Sequence, residues 1–293
     1  MNRVITISEL EYYYGKKENL PRKVLTKINL TVDRGELLAL IGATGSGKTT
    51  LLQIIAGLLL PKSGQVNVLG LNLGDPELKE NDLDKHRRRV AIALQRPEEM
   101  LFRTYVGDDV AYGPANYGLK GRALALRVKE AMDTMGLSYA LFKDRRTDSL
   151  SGGEMRKAAL AGVLALKPEI LLLDEPAAGL DPKAAGELFR RILDLRNEGV
   201  CVIFSTHDMD HVMLADRAAV CSEGRLVAVQ PPEELFFLGE LPESSGLLAP
   251  EAARIYRHLK SMGIDAGSKE GFPGDPESLA DGIAAAFFKG AAP

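Results

Sequence analysis

Short apolar bursts alternate along this chain with stretches whose apolar residues recur every three or four positions, and that alternation sets out most of its elements. Leu37–Ile41, Val90–Leu94, Ile170–Leu173 and Val200–Ser205 are short and apolar, which predicts strands, with Leu37–Ile41 and Ile170–Leu173 buried. Val4–Tyr14 and Val24–Val32 alternate more loosely and are rich in β-branched and aromatic residues, so they read as strands, the first punctuated by Gly15. Between them Lys16–Lys23 is polar and contains Pro21, a loop, and Asp33-Arg34-Gly35 is a turn. Apolar positions 51, 52, 55 and 58 predict a helix from Lys48 that stops near Gly57 and Pro61. Ala123–Met135 has helical spacing, and Ser151 opens a helix toward Leu166 that Pro168 ends. Asp181-Pro182 starts another, with Asp as cap and Pro in the first turn. Arg217–Val229, broken at Glu223-Gly224, reads as a hairpin. Strands alternating with helices predict an α/β domain with a largely parallel sheet over residues 1–238. Residues 239–293 differ in texture, gathering Pro and Gly around two helical patterns, 251–262 and 278–289, with Ser278 as cap of the second; they read as a small appendage.

Composition narrows little: 293 residues suffice for about two domains, and 45% apolar with 26% charged is ordinary globular usage. Charge excludes more. With 37 Lys and Arg against 40 Asp and Glu the net charge is −3, so no global positive field exists for nucleic acid, and none is expected as a partner. The local run Lys85-His86-Arg87-Arg88-Arg89 reads as the solvated entrance of the strand at Val90. Cys201 and Cys221 sit in apolar stretches and make no disulfide framework, which suits a reducing compartment such as the cytosol. The longest run without Asp, Glu, Lys or Arg is Thr49–Pro61, too short to span a bilayer. Met1–Ile5 is already strand-like, so no secretory leader is expected.

Three motifs carry chemistry. Gly42-Ala43-Thr44-Gly45-Ser46-Gly47-Lys48-Thr49 matches G-x-x-x-x-G-K-[ST] between a strand and a helix. Such a loop turns backbone N–H groups inward around phosphate oxygens, so side chains are excluded where the backbone approaches closely. Lys48 supplies a charge to the β- and γ-phosphates, and Thr49 can ligate Mg²⁺ at the positive end of a helix. Ile170–Leu173 delivers Asp174 and Glu175 to the C-terminal edge of a buried strand, where open α/β sheets place ligands. Asp174 is the candidate for holding Mg²⁺ and Glu175 for polarising an attacking water. Leu150-Ser151-Gly152-Gly153-Glu154 opens a helix; Ser151 and Glu154 form a capping box, and the two glycines make the helix terminus an anion site.

In this order the motifs resemble those of the ATP-binding-cassette (ABC) ATPases, whose signature reads L-S-G-G-Q, over about residues 3–238. The resemblance implies a P-loop NTPase fold with an antiparallel β subdomain and a helical subdomain at about 96–167, a small C-terminal α/β appendage, and ATP with Mg²⁺ as cofactors. It implies nucleotide-binding roles for Gly42 to Thr49 and for Thr50, with Gln95 touching Mg²⁺ alongside Thr49 and Asp174. By the same resemblance His207 contacts the γ-phosphate, and Ala178-Gly179-Leu180-Asp181 crosses a dimer interface. Ser151, Gly152, Gly153, Glu154 and Asp181 would then act in trans on ATP held by a second cassette, in a head-to-tail dimer. Tyr14, next to Gly15, is similar to the aromatic that stacks on adenine, with Tyr12 and Tyr13 as alternatives. Glu154 departs from the family, which more often has glutamine; near a γ-phosphate its carboxylate repels unless it turns back into the cap.

Gln95-Arg96-Pro97-Glu98-Glu99-Met100-Leu101-Phe102, Asp109-Val110-Ala111-Tyr112-Gly113-Pro114 and Met155–Ala165 are similar to stretches of energy-coupling-factor and cobalt-type transporter ATPases. Thr44 and the insertion before Val24 resemble one of two paired, non-identical ATPases in these systems. The resemblance implies a peripheral ATPase on the cytoplasmic face of the membrane, acting on an integral membrane coupling subunit near residues 95–118. A substrate-binding membrane subunit for a vitamin or transition-metal ion is reached only indirectly. The ATPase of another ABC importer and a soluble ABC ATPase are the alternatives; the second needs a coiled-coil insertion or a second cassette, which this chain lacks.

Overall fold

The computed structural model describes residues 2–15, 22–96, 99–239, 241, 245–264 and 276–288. The strands are β1 (Arg3–Tyr14), β2 (Arg22–Asp33), β3 (Leu37–Ile41), β4 (Ser63–Val68), β5 (Leu71–Asn72), β6 (Val90–Ala93), β7 (Ile170–Asp174), β8 (Cys201–Ser205), β9 (Arg217–Ser222) and β10 (Arg225–Gln230). The helices are α1 (Lys48–Ile55), α2 (Glu80–Arg89), α3 (Val106–Asn116), α4 (Gly121–Thr134), α5 (Tyr139–Phe142), α6 (Gly152–Leu164), α7 (Pro182–Asn197), α8 (Met209–Val212), α9 (Glu251–Ser261) and α10 (Pro276–Phe288). They divide into two compact units, residues 1–37 with 48–205 and residues 38–47 with 206–293.

In the first unit β1, β2, β4 and β5 form an antiparallel sheet in the order β2-β1-β4-β5. Its register explains the loose alternation of the sequence. Ile5 and Ile7 pair with Val32 and Leu30, then the register shifts, and Leu10 and Tyr12 pair with Ile28 and Leu25. Glu9 and Lys27, with φ of 49° and 50°, sit at the irregularity. A bulge moves the apolar set from odd to even positions while keeping it on the buried face. β6, β7 and β8 run parallel, Val90 beside Ile170 and Asp174 beside Ser205. Every residue of β7 and β8 is buried, as continuous apolar runs require. Phe189 of α7 meets Phe204 of β8 edge to face at 5.2 Å, and each such ring contributes about 1.5–3 kcal/mol by burial. Helices α3, α4 and α6 pack on one another.

In the second unit β3 pairs parallel with β9 and β9 antiparallel with β10. Glu223 and Gly224, at φ 47° and 73°, make the predicted hairpin turn. The appendage packs Tyr256 of α9 against Phe237 of the π-helical turn that precedes it (Glu234–Leu238), with ring centres 5.6 Å apart. Cys201 and Cys221 are free and buried. Among the described residues no helix is long and apolar enough to cross a membrane.

Three expectations change. Lys85–Arg89 is the last turn of α2 rather than a strand entrance: His86 is buried with Nε2 2.8 Å from the Ile55 carbonyl, and Arg87 donates to the Gly57 carbonyl at 3.0 Å. The three arginines of the last turn, Arg87, Arg88 and Arg89, suit the negative pole of the helix. Arg22 and Lys23 belong to β2, while the rest of the expected loop, residues 16–21, lies outside the described residues, as do Pro97 and Glu98. Finally α10 starts at Pro276, so Ser278 stands inside its first turn instead of capping it.

Candidate nucleotide site

The glycine loop follows β3 and leads into α1. Ser46 donates its amide to the Ala43 carbonyl at 3.1 Å, and its own carbonyl accepts the Gly224 amide at 3.2 Å, so the loop is tied to the hairpin turn of the same unit. Gly42, Gly45 and Gly47 have φ of 149°, 82° and 107°, a region that L side chains disfavour. At Gly42 a Cβ would lie 2.1 Å from the Cys221 carbonyl oxygen and 2.8 Å from Ser46 Oγ. Ser46 Oγ is buried without a hydrogen-bond partner among the described residues. A loop of strained glycines holding an orphaned hydroxyl fits a bound phosphate chain.

In the first unit the carboxylate of Asp174 is fixed from two sides. Thr49 Oγ1 donates to its Oδ2 at 2.7 Å and Ser205 Oγ to its Oδ1 at 2.5 Å. One contact comes from the head of α1 and the other from the end of β8, so the acid is buried and aimed at the residue proposed from sequence as the other Mg²⁺ ligand. No cluster of three or more His, Cys, Asp or Glu suited to a metal exists among the described residues. Mg²⁺ in such a setting takes few protein ligands and fills its octahedron with phosphate oxygens and water, which fits Thr49 and Asp174.

Glu175 has φ of 51°, a left-handed backbone costing on the order of 1 kcal/mol or more for a residue with a side chain. Contacts from two neighbouring elements help to hold it there. Its amide donates to Ser205 Oγ at 2.9 Å, and its carbonyl accepts Arg156 Nη1 at 3.2 Å. Arg156 also donates to the Pro176 carbonyl at 2.8 Å and, through Nη2, to the Gln95 carbonyl at 3.0 Å. Neither Arg156 nor Ser205 was singled out from sequence as a site residue. An arginine two residues past Glu154 gives no local signal, because its partners come from the segments that follow β7 and β6.

At the head of α6 the predicted capping box is complete: Glu154 donates its amide to Ser151 Oγ at 3.3 Å, and Ser151 donates its amide to Glu154 Oε2 at 2.8 Å. Among the described residues a Cβ at Gly152 would meet nothing within 4 Å, and one at Gly153 only Leu180 at 3.7 Å. Asp181 caps α7 by accepting the Ala184 amide at 2.9 Å, as its sequence position predicted.

Among the three tyrosines, Tyr12 is 6% exposed and packs edge-on against Tyr14 at 5.1 Å, whereas Tyr14 is 46% exposed. The Tyr14 hydroxyl lies 3.3 Å from Thr50 Oγ1, which brings the candidate stacking ring to the helix that follows the loop. Gln95 is exposed, one residue beyond Leu94. His207 is exposed after Thr206, whose amide donates to the Leu40 carbonyl at 3.1 Å and whose Oγ1 accepts the Asp208 amide at 3.0 Å.

A family model described as ABC transporter matches residues 25–178. The energy-coupling factor transporter ATP-binding protein EcfA2 of Clostridium perfringens is 38% identical over 263 residues, 89% of this chain and 91% of that protein. Among solved structures, CbiO1 of Clostridium perfringens, part of the ABC transporter complex CbiONQ, superposes with a TM-score of 0.72 at 33% identity, covering 80% of this chain and 91% of that one. A dimeric bacterial ABC transporter cassette gives a TM-score of 0.71 at 25% identity, over 78% and 98% of the two chains.

Proposed function

Because the chain belongs to the ABC transporter family and, within it, to the energy-coupling factor ATP-binding proteins, we propose that it powers uptake of a vitamin or transition-metal ion through a transmembrane coupling subunit. It is an ATPase that uses ATP with Mg²⁺. In this reading residues 1–238 are the nucleotide-binding domain, with a helical subdomain at about 96–167 and the contact to the membrane partner near residues 95–118, and residues 239–293 an appendage between paired ATPases. The protein sits on the cytoplasmic face of the membrane, and the substrate-binding subunit is reached through the coupling subunit.

The observation that carries the reading is the Asp174 carboxylate, buried and held by Thr49 and Ser205 at the head of the helix that follows the glycine loop. Bound Mg²⁺ supplies positive charge that offsets what develops on the transferring phosphoryl group. Lys48 adds a second cation at the β- and γ-phosphates, and the loop amides cradle the phosphate chain. Tyr14 stacks on adenine, with Thr50 steadying its hydroxyl. Glu175 accepts a proton from the attacking water, and the contacts to Ser205 and Arg156 fix the backbone from which it does so. His207 and Gln95 complete the γ-phosphate and metal contacts. Ser151, Gly152, Gly153 and Asp181 serve the nucleotide of a second cassette, so each site closes only when two cassettes meet, and closure moves the membrane partner.

Isolation of the tagged chain from native membranes in mild detergent, followed by mass spectrometry, tests this. The expected companions are a transmembrane coupling protein, a related or identical ATPase and a small substrate-binding membrane protein. Recovery of a soluble chain, or of one bound to ribosomes or nucleic acid, would leave the ATP site standing and remove the transport assignment.

A further inference from the structure

A carboxylate beside an anion-binding helix terminus opposes the anion that the exposed N–H groups attract. Glu154 occupies that place at the third position of α6. Its Oε2 is taken by the Ser151 amide, and its Oε1 accepts Nη1 of Arg145 at 3.1 Å. Arg145 is itself held in place. Its guanidinium lies 4.8 Å from the centre of the Phe142 ring, its Nη2 donates to the Ser149 carbonyl at 3.3 Å, and its backbone carbonyl accepts the Val106 amide at 3.0 Å. Glu154 is held below the usual carboxylate range, first by the Ser151 amide, against the pull of burial, then by the Ser151 hydroxyl and by the charge and hydrogen bond of Arg145. Helix capping does not require that cation, because glutamine at the same position completes the reciprocal box without charge.

We propose that Arg145 is a positioning residue for the signature: it pins the Glu154 carboxylate into the cap and cancels its charge, leaving the Gly152-Gly153 end of α6 able to receive the γ-phosphate of ATP on a second cassette. The inference rests on the reading of residues 151–154 as the half-site offered in trans. Arg145 touches neither nucleotide nor metal in this scheme; it acts through Glu154 alone. Its effect therefore depends on there being a negative charge to cancel, and on how far salt screens that charge.

The test is MgATP hydrolysis by the assembled transporter carrying Arg145→Ala, Arg145→Lys, Glu154→Gln, and Arg145→Ala with Glu154→Gln. Arg145→Ala is expected to lower kcat/KM about tenfold, a coupling of ordinary size for contacting charges, and Arg145→Lys to recover most of it. Added to Glu154→Gln, whatever that change does alone, Arg145→Ala should cost less than about twofold. The loss with Arg145→Ala should also shrink as ionic strength rises to about 0.5 M. Arg145→Gln replaces the alanine variant if that one does not fold. An equal loss in both backgrounds, or no loss in the Glu154 chain, overturns the proposal. Gly152→Asp separates the two levels: if it leaves hydrolysis intact, the signature reading falls and the Arg145 proposal with it. If it abolishes hydrolysis while Arg145→Ala costs the same in both backgrounds, only the Arg145 proposal falls.

Discussion

Two glycine clusters mark this chain, and they are glycine for different reasons. At Gly42 the reason is internal: a Cβ would sit 2.1 Å from the backbone oxygen of Cys221, and the φ of 149° is one that side chains disfavour. At Gly152 and Gly153 the backbone is ordinary helix, and a methyl group would meet nothing closer than Leu180 at 3.7 Å. Among the described residues of a single copy, no contact requires glycine there. The first cluster is built by the fold, whereas the second leaves open space, which is what the proposed site completed by a second cassette demands.

Substitutions can separate these cases. Glu175→Gln should slow turnover about 10³-fold while MgATP still binds, since it removes only the proton acceptor; single-turnover kinetics beside equilibrium binding would show it. Undiminished hydrolysis would take Glu175 out of its role, and a trapped closed dimer would let both clusters be read in one state. Gly42→Ala should lower stability by roughly 3 kcal/mol and the melting midpoint by about 10 °C, with nucleotide binding lost. A variant melting as the parent does would break the claim that the fold itself dictates this glycine. Gly152→Ala should act in the opposite sense. The helix gains up to about 1 kcal/mol of propensity, so the midpoint holds or rises, yet MgATP-driven dimerisation measured by sedimentation should weaken about thirtyfold. Smaller effects belong to the adenine side. Tyr14→Ala should weaken ATP binding about tenfold through lost stacking, and Tyr14→Phe, which removes only the contact to Thr50, about twofold. Equal losses at Tyr12, buried beneath Tyr14, would point to packing instead of stacking.

Elements with strong local signals were legible in the sequence. β3 matches its apolar run, Ser151 and Glu154 make the box that their spacing predicts, and Asp181-Pro182 caps α7 as such a pair should. Helix α2 was not legible, because Leu83 and His86 are its only buried residues, too sparse a stripe to register as periodicity amid so many charges. The site divides in the same way. Lys48, Thr49, Asp174 and Glu175 announce themselves through motifs whose spacing is local. Ser205, Arg156 and Arg145 do not, since each acts on groups 30 residues away in the case of Ser205 and Glu175, 61 for Arg156 and Gln95, and 9 for Arg145 and Glu154. Only tertiary structure brings a guanidinium to the carbonyls of Gln95, Glu175 and Pro176 at once.

The central claim is that the nucleotide bound by residues 42–50 of one chain is closed over by residues 151–154 of another. Amide hydrogen exchange on the Glu175→Gln chain tests it most directly, measured in the detergent-isolated transporter and in the dissociated chain at high dilution. With MgATP, both segments should slow in the transporter, and only residues 42–50 in the diluted chain. Slowing of residues 151–154 in the diluted chain would mean a site built within one copy, and no slowing in either sample would mean that the signature never meets nucleotide; either result contradicts the account.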